Sequence, residues 1–205
     1  MFAGLFPIVN PIGGAPIFLT LTGQASKVER HVLASRVALD SFLLLLGSVF
    51  VGSHVLEFFG ITLPVVRIGG GLVVMAFAWK LLNAPEAPNG QGHDQSGTIL
   101  PIDAFYPLTV PLTVGPGSIS VAITLGSQRP IANGIERLAL LGGGAIAGLL
   151  AIAVSVYLCY RFADRLVAAL GPSGTNVLMR LFAFILFCIG IQIVWNGLSA
   201  LLGKS

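Results

Sequence analysis

One proline-punctuated apolar stretch occurs twice in the chain, 100 positions apart, and it restricts the fold more than any other feature. The first copy reads Phe6-Pro7-Ile8-Val9-Asn10-Pro11-Ile12-Gly13-Gly14-Ala15-Pro16. The second reads Tyr106-Pro107-Leu108-Thr109-Val110-Pro111-Leu112-Thr113-Val114-Gly115-Pro116-Gly117-Ser118. Pro7, Pro11 and Pro16 align with Pro107, Pro111 and Pro116. A proline inside a helix removes a backbone hydrogen bond, and its ring clashes with the preceding turn. Neither stretch is therefore expected to form one continuous helix.

Both copies lie in sequence that reads as membrane. Charged residues make up 9% of the chain and hydrophobic residues 55%, with a mean hydropathy of +0.92. Soluble domains carry roughly 25% charged residues. So little charge cannot cover a surface facing water, so the chain is expected to be an integral membrane protein with the lipid bilayer as its surroundings. Its 205 residues accommodate about six spans of roughly 20 residues each. The net charge is +3 with scattered basic residues, which argues against nucleic acid as a partner. The opening residues lack a basic n-region, so a first span is expected there rather than a signal peptide. Cys159 and Cys188 sit in apolar runs without metal-ligand or CxxC spacing and read as core residues.

The expected fold is an all-α polytopic membrane protein, with six transmembrane spans in a 3+3 inverted repeat and two proline-broken helices. Residues 1–82 form the first three-span repeat, 83–97 a flexible polar linker, and 98–205 the second repeat. In the first repeat, Met1 to Gly23 is the broken element, Val32 to Leu56 the second span, and Val65 to Lys80 the third. In the second repeat, Leu100 to Gly126 is the broken element, Ser127 to Arg137 a polar connection, and Leu138 to Tyr160 the fifth span. Arg161 to Gly174 then reads as a loop before the last span, Val177 to Leu202. Three spans per half invert the second half, so the two broken elements enter from opposite faces.

Lys27, Arg30, Arg36, Lys80, Arg161, Arg165 and Arg180 fall on one side of that scheme. Arg67, Arg129, Arg137 and Lys204 fall on the other. The excess of basic residues on the first side places it in the cytoplasm and both termini outside. Arg67 and Arg180 read as span-end residues. Small residues let helices approach closely in lipid, so Gly144 with Gly148, and Gly69 to Gly71, are expected at helix contacts.

An interrupted helix exposes amide N–H groups at one new end and carbonyls at the other. The amides suit an anion such as a carboxylate, and the carbonyls suit an ammonium or a small cation. Two facing interruptions thus make a site for a zwitterion without a buried full charge. The residues expected to line it are Asn10, Pro11, Gly13, Gly14 and Pro16 from the first copy. Thr109, Pro111, Thr113, Gly115, Pro116, Gly117 and Ser118 complete it from the second. Asn10 supplies an amide, and Thr109, Thr113 and Ser118 supply hydroxyls. Such a set fits a small neutral solute, such as a neutral amino acid. The rival reading is two kinked helices around a ligand-free core.

Arg36 and Asp40 share a helix face four residues apart and can pair. Asp40 is alternatively a candidate group for coupling to a proton or sodium ion, since an acid within a span is a functional candidate. Asp103, one turn before Pro107, carries the same two readings. No nucleophile–base set, phosphate loop, dinucleotide motif or metal spacing occurs, so neither enzymatic chemistry nor a cofactor is expected. A membrane thiol–disulfide relay would need a cysteine near each break, and residues 1–23 and 98–126 contain none.

Together the motifs resemble the MarC family of six-span bacterial and archaeal inner-membrane proteins. The resemblance rests on Asn10-Pro11-Ile12-Gly13 with Pro16, and on Arg67-Ile68-Gly69-Gly70-Gly71. It extends to Pro107-Leu108-Thr109-Val110-Pro111 running into Gly115-Pro116-Gly117, to Arg180-Leu181, and to Gln192 with Asn196-Gly197. The resemblance implies a bacterial inner-membrane, multi-pass, transporter-like protein, some relatives being regarded as neutral amino acid transporters. Relatives carry a longer apolar lead than the nine residues before Asn10. Those nine span only about 14 Å of a hydrocarbon core of about 30 Å, so a short first half-helix or a missing leading piece is expected. The functional expectation is alternating-access transport of small neutral solutes, in a chain that can also form a homo-oligomer. Its rival is a structural or regulatory membrane protein.

Overall fold

The computed structural model of the chain describes residues 1–83, 103–127 and 135–203. The linker beyond Asn83, the connection holding Arg129, and Lys204 lie outside the described residues. So do the side chains of Pro111, Arg137, Leu170 and Pro172. Every regular element among the described residues is helical. Five stretches are long and apolar enough to cross a membrane: Phe2–Leu21, Lys27–Phe50, Leu63–Leu82, Gly142–Arg161 and Ser173–Leu201.

The first stretch is two helices, α1 (Phe2–Val9) and α2 (Pro11–Leu21), separated by Asn10 at φ 46° and ψ 59°. Left-handed backbone is rare outside glycine, and asparagine tolerates it because its short amide bonds locally. Here Oδ1 of Asn10 accepts from the Gly13 N–H at 3.1 Å and caps α2. Pro11 follows as the first residue of α2, where a missing N–H leaves nothing unpaired. Pro7 and Pro16 lie inside α1 and α2. Of the three prolines, only Pro11 adjoins the interruption.

The second copy does not make a spanning helix, which is why the described stretches number five and not the six expected. Residues Leu108–Thr113 form one wide turn closed by bonds five residues back. The Thr109, Val110 and Val114 amides donate to the carbonyls of Ala104, Phe105 and Thr109 at 2.9, 2.9 and 2.8 Å. Val110 (φ −114°, ψ 124°) and Val114 (φ −120°, ψ 93°) are extended. Val110 holds the repeat position of Asn10, and in both copies the following proline disfavours helical backbone there. Helix α6 (Pro116–Ser127) has 12 residues. That is about 18 Å, short of the ~30 Å hydrocarbon core.

Helix α3 (Lys27–Phe50) opens on a reciprocal cap, the Ser26 Oγ accepting from the Glu29 N–H at 3.2 Å while the Ser26 N–H donates to Glu29 Oε2 at 2.7 Å. After the short α4 (Gly52–Phe58) come α5 (Leu63–Leu82), α7 (Ile135–Arg161) and α8 (Ala163–Leu201). The loop expected from Arg161 to Gly174 is instead largely helical. Only Gly171, at φ 66° and ψ 173°, leaves helical backbone within α8. Ala, Arg and Leu dominate residues 163–170 and favour a helix up to that glycine.

Helix α3 packs on α7, and α5 packs on α8. Helix α6 packs against α3 and α5, while α2 packs against α7 and α8. The main core gathers Leu5, Phe18, Val37, Leu45, Leu149 and Ile152, and a smaller one joins Val74 and Ala78 to Leu186. Helices α5 and α8 meet at glycine. A Cβ on Gly71 would lie 2.8 Å from the Gly190 carbonyl oxygen, and one on Gly190 3.0 Å from that of Gly71. The face expected from Gly144 and Gly148 is divided. Gly148 meets Met1 and Phe2, whereas Gly144, like Gly69, has open space around it.

Candidate functional site

Three cavities lie in file along the bundle, ordered by where their residues fall on the helices. The widest, about 440 Å³, is lined by Gly4 and Ile8 of α1, Arg67 of α5, Thr124 of α6, and Ile193 and Asn196 of α8. Arg67 lies near the start of α5, Thr124 in the second half of α6, and Ile193 and Asn196 toward the end of α8, so this cavity occupies one end of the bundle. The middle one, about 90 Å³, lies between Ile8, Val74, Phe77 and Leu186 and the second proline segment, which contributes Thr113, Gly115, Pro116, Gly117 and Ser118. Ile8 lines both and forms the wall between them. The third, about 10 Å³, is lined by Asn10, Gly13 and Ile17 of the first segment, Leu81 near the end of α5, and Met179 and Phe182 of α8.

The expected site residues thus divide. Thr113 and Gly115 to Ser118 share one cavity, while Asn10 and Gly13 face another on the far side. Pro11, Gly14 and Pro16 are buried in packing contacts of α2, and Thr109 is fully buried. The hydroxyls are largely committed to their own segment. Thr109 donates to the Ala104 carbonyl at 2.8 Å, Thr113 to Leu108 at 2.7 Å and Ser118 to Gly115 at 2.9 Å. Neither acid lines any of these three cavities. Asp40 is half-buried on α3 and makes no ion pair with the exposed Arg36. Asp103 is exposed, and its Oδ1 accepts from the Phe105 N–H at 3.3 Å, tying the turn that leads into the second segment.

Tyr160 of α7, which in the sequence marks only the end of a span, bridges the two segments. Its ring stacks on Phe18 of α2 with centroids 4.5 Å apart. Its hydroxyl lies 2.9 Å from Thr113 Oγ1. Thr113 already donates its one hydroxyl proton to Leu108, so the phenol is the donor. The ring fits because residue 14 is glycine: a Cβ there would lie 2.6 Å from the phenol oxygen. A tyrosine near a span end reads as an interface residue, and only the fold reveals this inward role.

Arg67 lies near a span end, as expected, but it does not face the membrane boundary. It is the fifth residue of α5 and turns inward, its Nε donating to Thr124 Oγ1 of α6 at 3.3 Å.

The profile of the MarC family integral membrane protein matches residues 1–202. The UPF0056 membrane protein YvbG of Bacillus subtilis (strain 168) is 29% identical over 205 residues, covering 98% of this chain and 93% of that protein. The UPF0056 inner membrane protein MarC of Salmonella typhimurium is 29% identical over 199 residues, 94% of this chain and 90% of the relative. A UPF0056 membrane protein of Pyrococcus abyssi is 28% identical over 205 residues, 99% and 94% of the two chains. No solved structure gives a significant match. With the profile running from its first residue almost to its last, the chain belongs to the MarC family of integral membrane proteins.

Proposed function

We propose that the protein is a secondary transporter of the bacterial inner membrane that carries small neutral solutes, amino acids foremost, by alternating access about its two interrupted segments. The observation that carries this reading is the file of cavities, about 440 Å³ at one end, about 90 Å³ in the middle and about 10 Å³ at the other end. A bundle wide on one side and nearly shut on the other has the shape of one of two alternating states, with irregular backbone at the middle as transporters use it.

The middle cavity suits a small zwitterion. Its volume equals roughly three waters at ~30 Å³ each. The first-turn amides of α6 have no partner one turn back and attract a carboxylate. The segment 103–115 together with α6 supplies a sixth, partly extended crossing, which gives three crossings per half. Packing supports the resulting 3+3 inverted repeat, since α6 against α3 and α5 is matched by α2 against α7 and α8. The basic residues then put both termini outside the cytoplasm. Asp40 is the better candidate for coupling to a proton or sodium ion, because it is half-buried on a span while Asp103 is exposed.

The decisive experiment is counterflow of alanine, glycine and serine in proteoliposomes, with and without proton and sodium gradients. Exchange above that of empty vesicles is expected, and its absence for all three would remove the reading. Asp40→Asn is expected to keep exchange while losing gradient-driven accumulation. A second reading, a non-transporting structural or regulatory membrane protein, draws on the hydroxyls of Thr109, Thr113 and Ser118 being committed to their own backbone. It predicts that cysteines placed at Ile8 and Val74 cross-link equally fast with and without any amino acid.

A further inference from the structure

We infer that the wide cavity is an anion-selecting vestibule, in which Arg67 and Asn196 hold the carboxylate of an incoming solute before it reaches the middle cavity. The inference deepens the proposed transport function and rests on it for the identity of the solute. It concerns residues outside the two proline segments.

The polar groups of this cavity have a one-sided chemistry. Arg67 donates its Nε–H to Thr124 Oγ1 at 3.3 Å, and Thr124 in turn donates to the Ser120 carbonyl at 2.9 Å. The threonine hydroxyl thereby spends its one proton on the Ser120 carbonyl and offers a lone pair that fixes the edge of the guanidinium. The two terminal nitrogens of Arg67 make no hydrogen bond among the described residues. Asn196 is arranged in the same sense. Its Oδ1 accepts from Gln192 Nε2 at 2.9 Å, which leaves its amide protons as donors. Arg67 and Asn196 line the same cavity from α5 and α8, and no acidic residue lines it.

A cavity presenting a guanidinium fork and an amide donor, with no carboxylate of its own, selects a planar oxyanion. Among solutes that fit the middle cavity, this means a small carboxylate. The cavity lies one wall, Ile8, from the second segment, where the first-turn amides of α6 supply the next oxyanion ligands. The same chemistry would also accept a lipid phosphate, so the test separates the two sources.

The full chain, purified in detergent, is titrated by calorimetry with L-alanine, with propionate (carboxylate without ammonium) and with ethylamine (ammonium without carboxylate). Alanine and propionate are expected to bind and to compete, while ethylamine does not. Charge-assisted bonds of this kind predict an affinity lower by about ten- to a hundredfold in Arg67→Gln. Asn196→Ala should lose about two- to tenfold. Propionate that fails to bind, or that binds Arg67→Gln as it binds the native chain, overturns the inference. If Arg67→Gln does not fold, Asn196→Ala decides, and unchanged propionate affinity there is equally fatal. In nanodiscs, stabilisation by phosphatidylglycerol that depends on Arg67, with no response to propionate, would assign the cavity to lipid and overturn the solute claim. Counterflow undiminished in Arg67→Gln would sink the vestibule and leave transport standing. Arg67-dependent propionate binding without any counterflow would do the reverse.

Discussion

The two copies of the proline segment share their spacing and part ways at one residue. In the first, Asn10 takes the whole interruption on itself, turning left-handed and capping α2 through Gly13. In the second, valine stands at that position and has no side chain that can cap. The irregular backbone then extends from Val110 to Val114, through a wide turn, before Gly115-Pro116 starts α6. A capped break stays local, and Asn10 and Gly13 face a cavity of only about 10 Å³. An uncapped one spreads and opens the cavity of about 90 Å³ between Thr113 and Ser118. Equivalent prolines thus set where each chain segment breaks, and the residue before the middle proline sets how far the break travels.

The strongest way to break this comparison is to give the first copy the residue of the second. Asn10→Val loses the cap and forces a β-branched side chain into left-handed backbone, together about 2–4 kcal/mol. Thermal unfolding of the purified protein in detergent should show a large drop, and an unchanged midpoint would mean the cap does not hold the first segment. Next in size is Gly117→Ala, because a Cβ there would collide with Val74 Cγ2. Overpacking of this kind costs about 1–3 kcal/mol. The same melt should fall, and binding at the middle cavity should weaken even where the protein survives. Tyr160→Phe removes the link between the copies and should cost about 1 kcal/mol. Pairing it with Thr113→Val in a double-mutant cycle tests the bond directly, and additive losses would deny it. The mildest change is Asn10→Gly, which keeps the backbone conformation and loses only a few tenths of a kcal/mol. A loss as large as that of valine would show that Asn10 acts through more than its cap.

What could be read from residues alone follows from how local the cause is. The interruption at Asn10-Pro11 and the span of α3 rest on neighbours in sequence, and both were legible. The start of α3 is also written locally, since Ser26 and Glu29 carry the spacing of a reciprocal cap, yet the expected second span begins only at Val32 because Lys27 to His31 read as a polar connection. The second segment was harder, because nothing in Leu-Thr-Val-Pro-Leu-Thr says whether a proline will kink a helix or dissolve it. The helix over 163–170 was lost behind Gly171 and Pro172, which read as loop. The inward roles of Tyr160 and Arg67 escape a reading of the sequence for a common reason. Each sits near a span end, where amphipathic residues ordinarily face the membrane boundary. Their partners Phe18, Thr113 and Thr124 are far away in sequence. The division of the expected site between two cavities has the same origin, since it depends on how α5 and α8 pass between the segments.

The contact of α5 with α8 bears on how such a bundle can move. Gly71 and Gly190 bring main chain close to main chain, and Val74 and Ala78 interlock with Leu186 along the same seam. At that distance almost any rotation of one helix against the other would drive backbone into backbone. Helices α5 and α8 are thereby yoked together, and a rearrangement that separated them would have to break this seam.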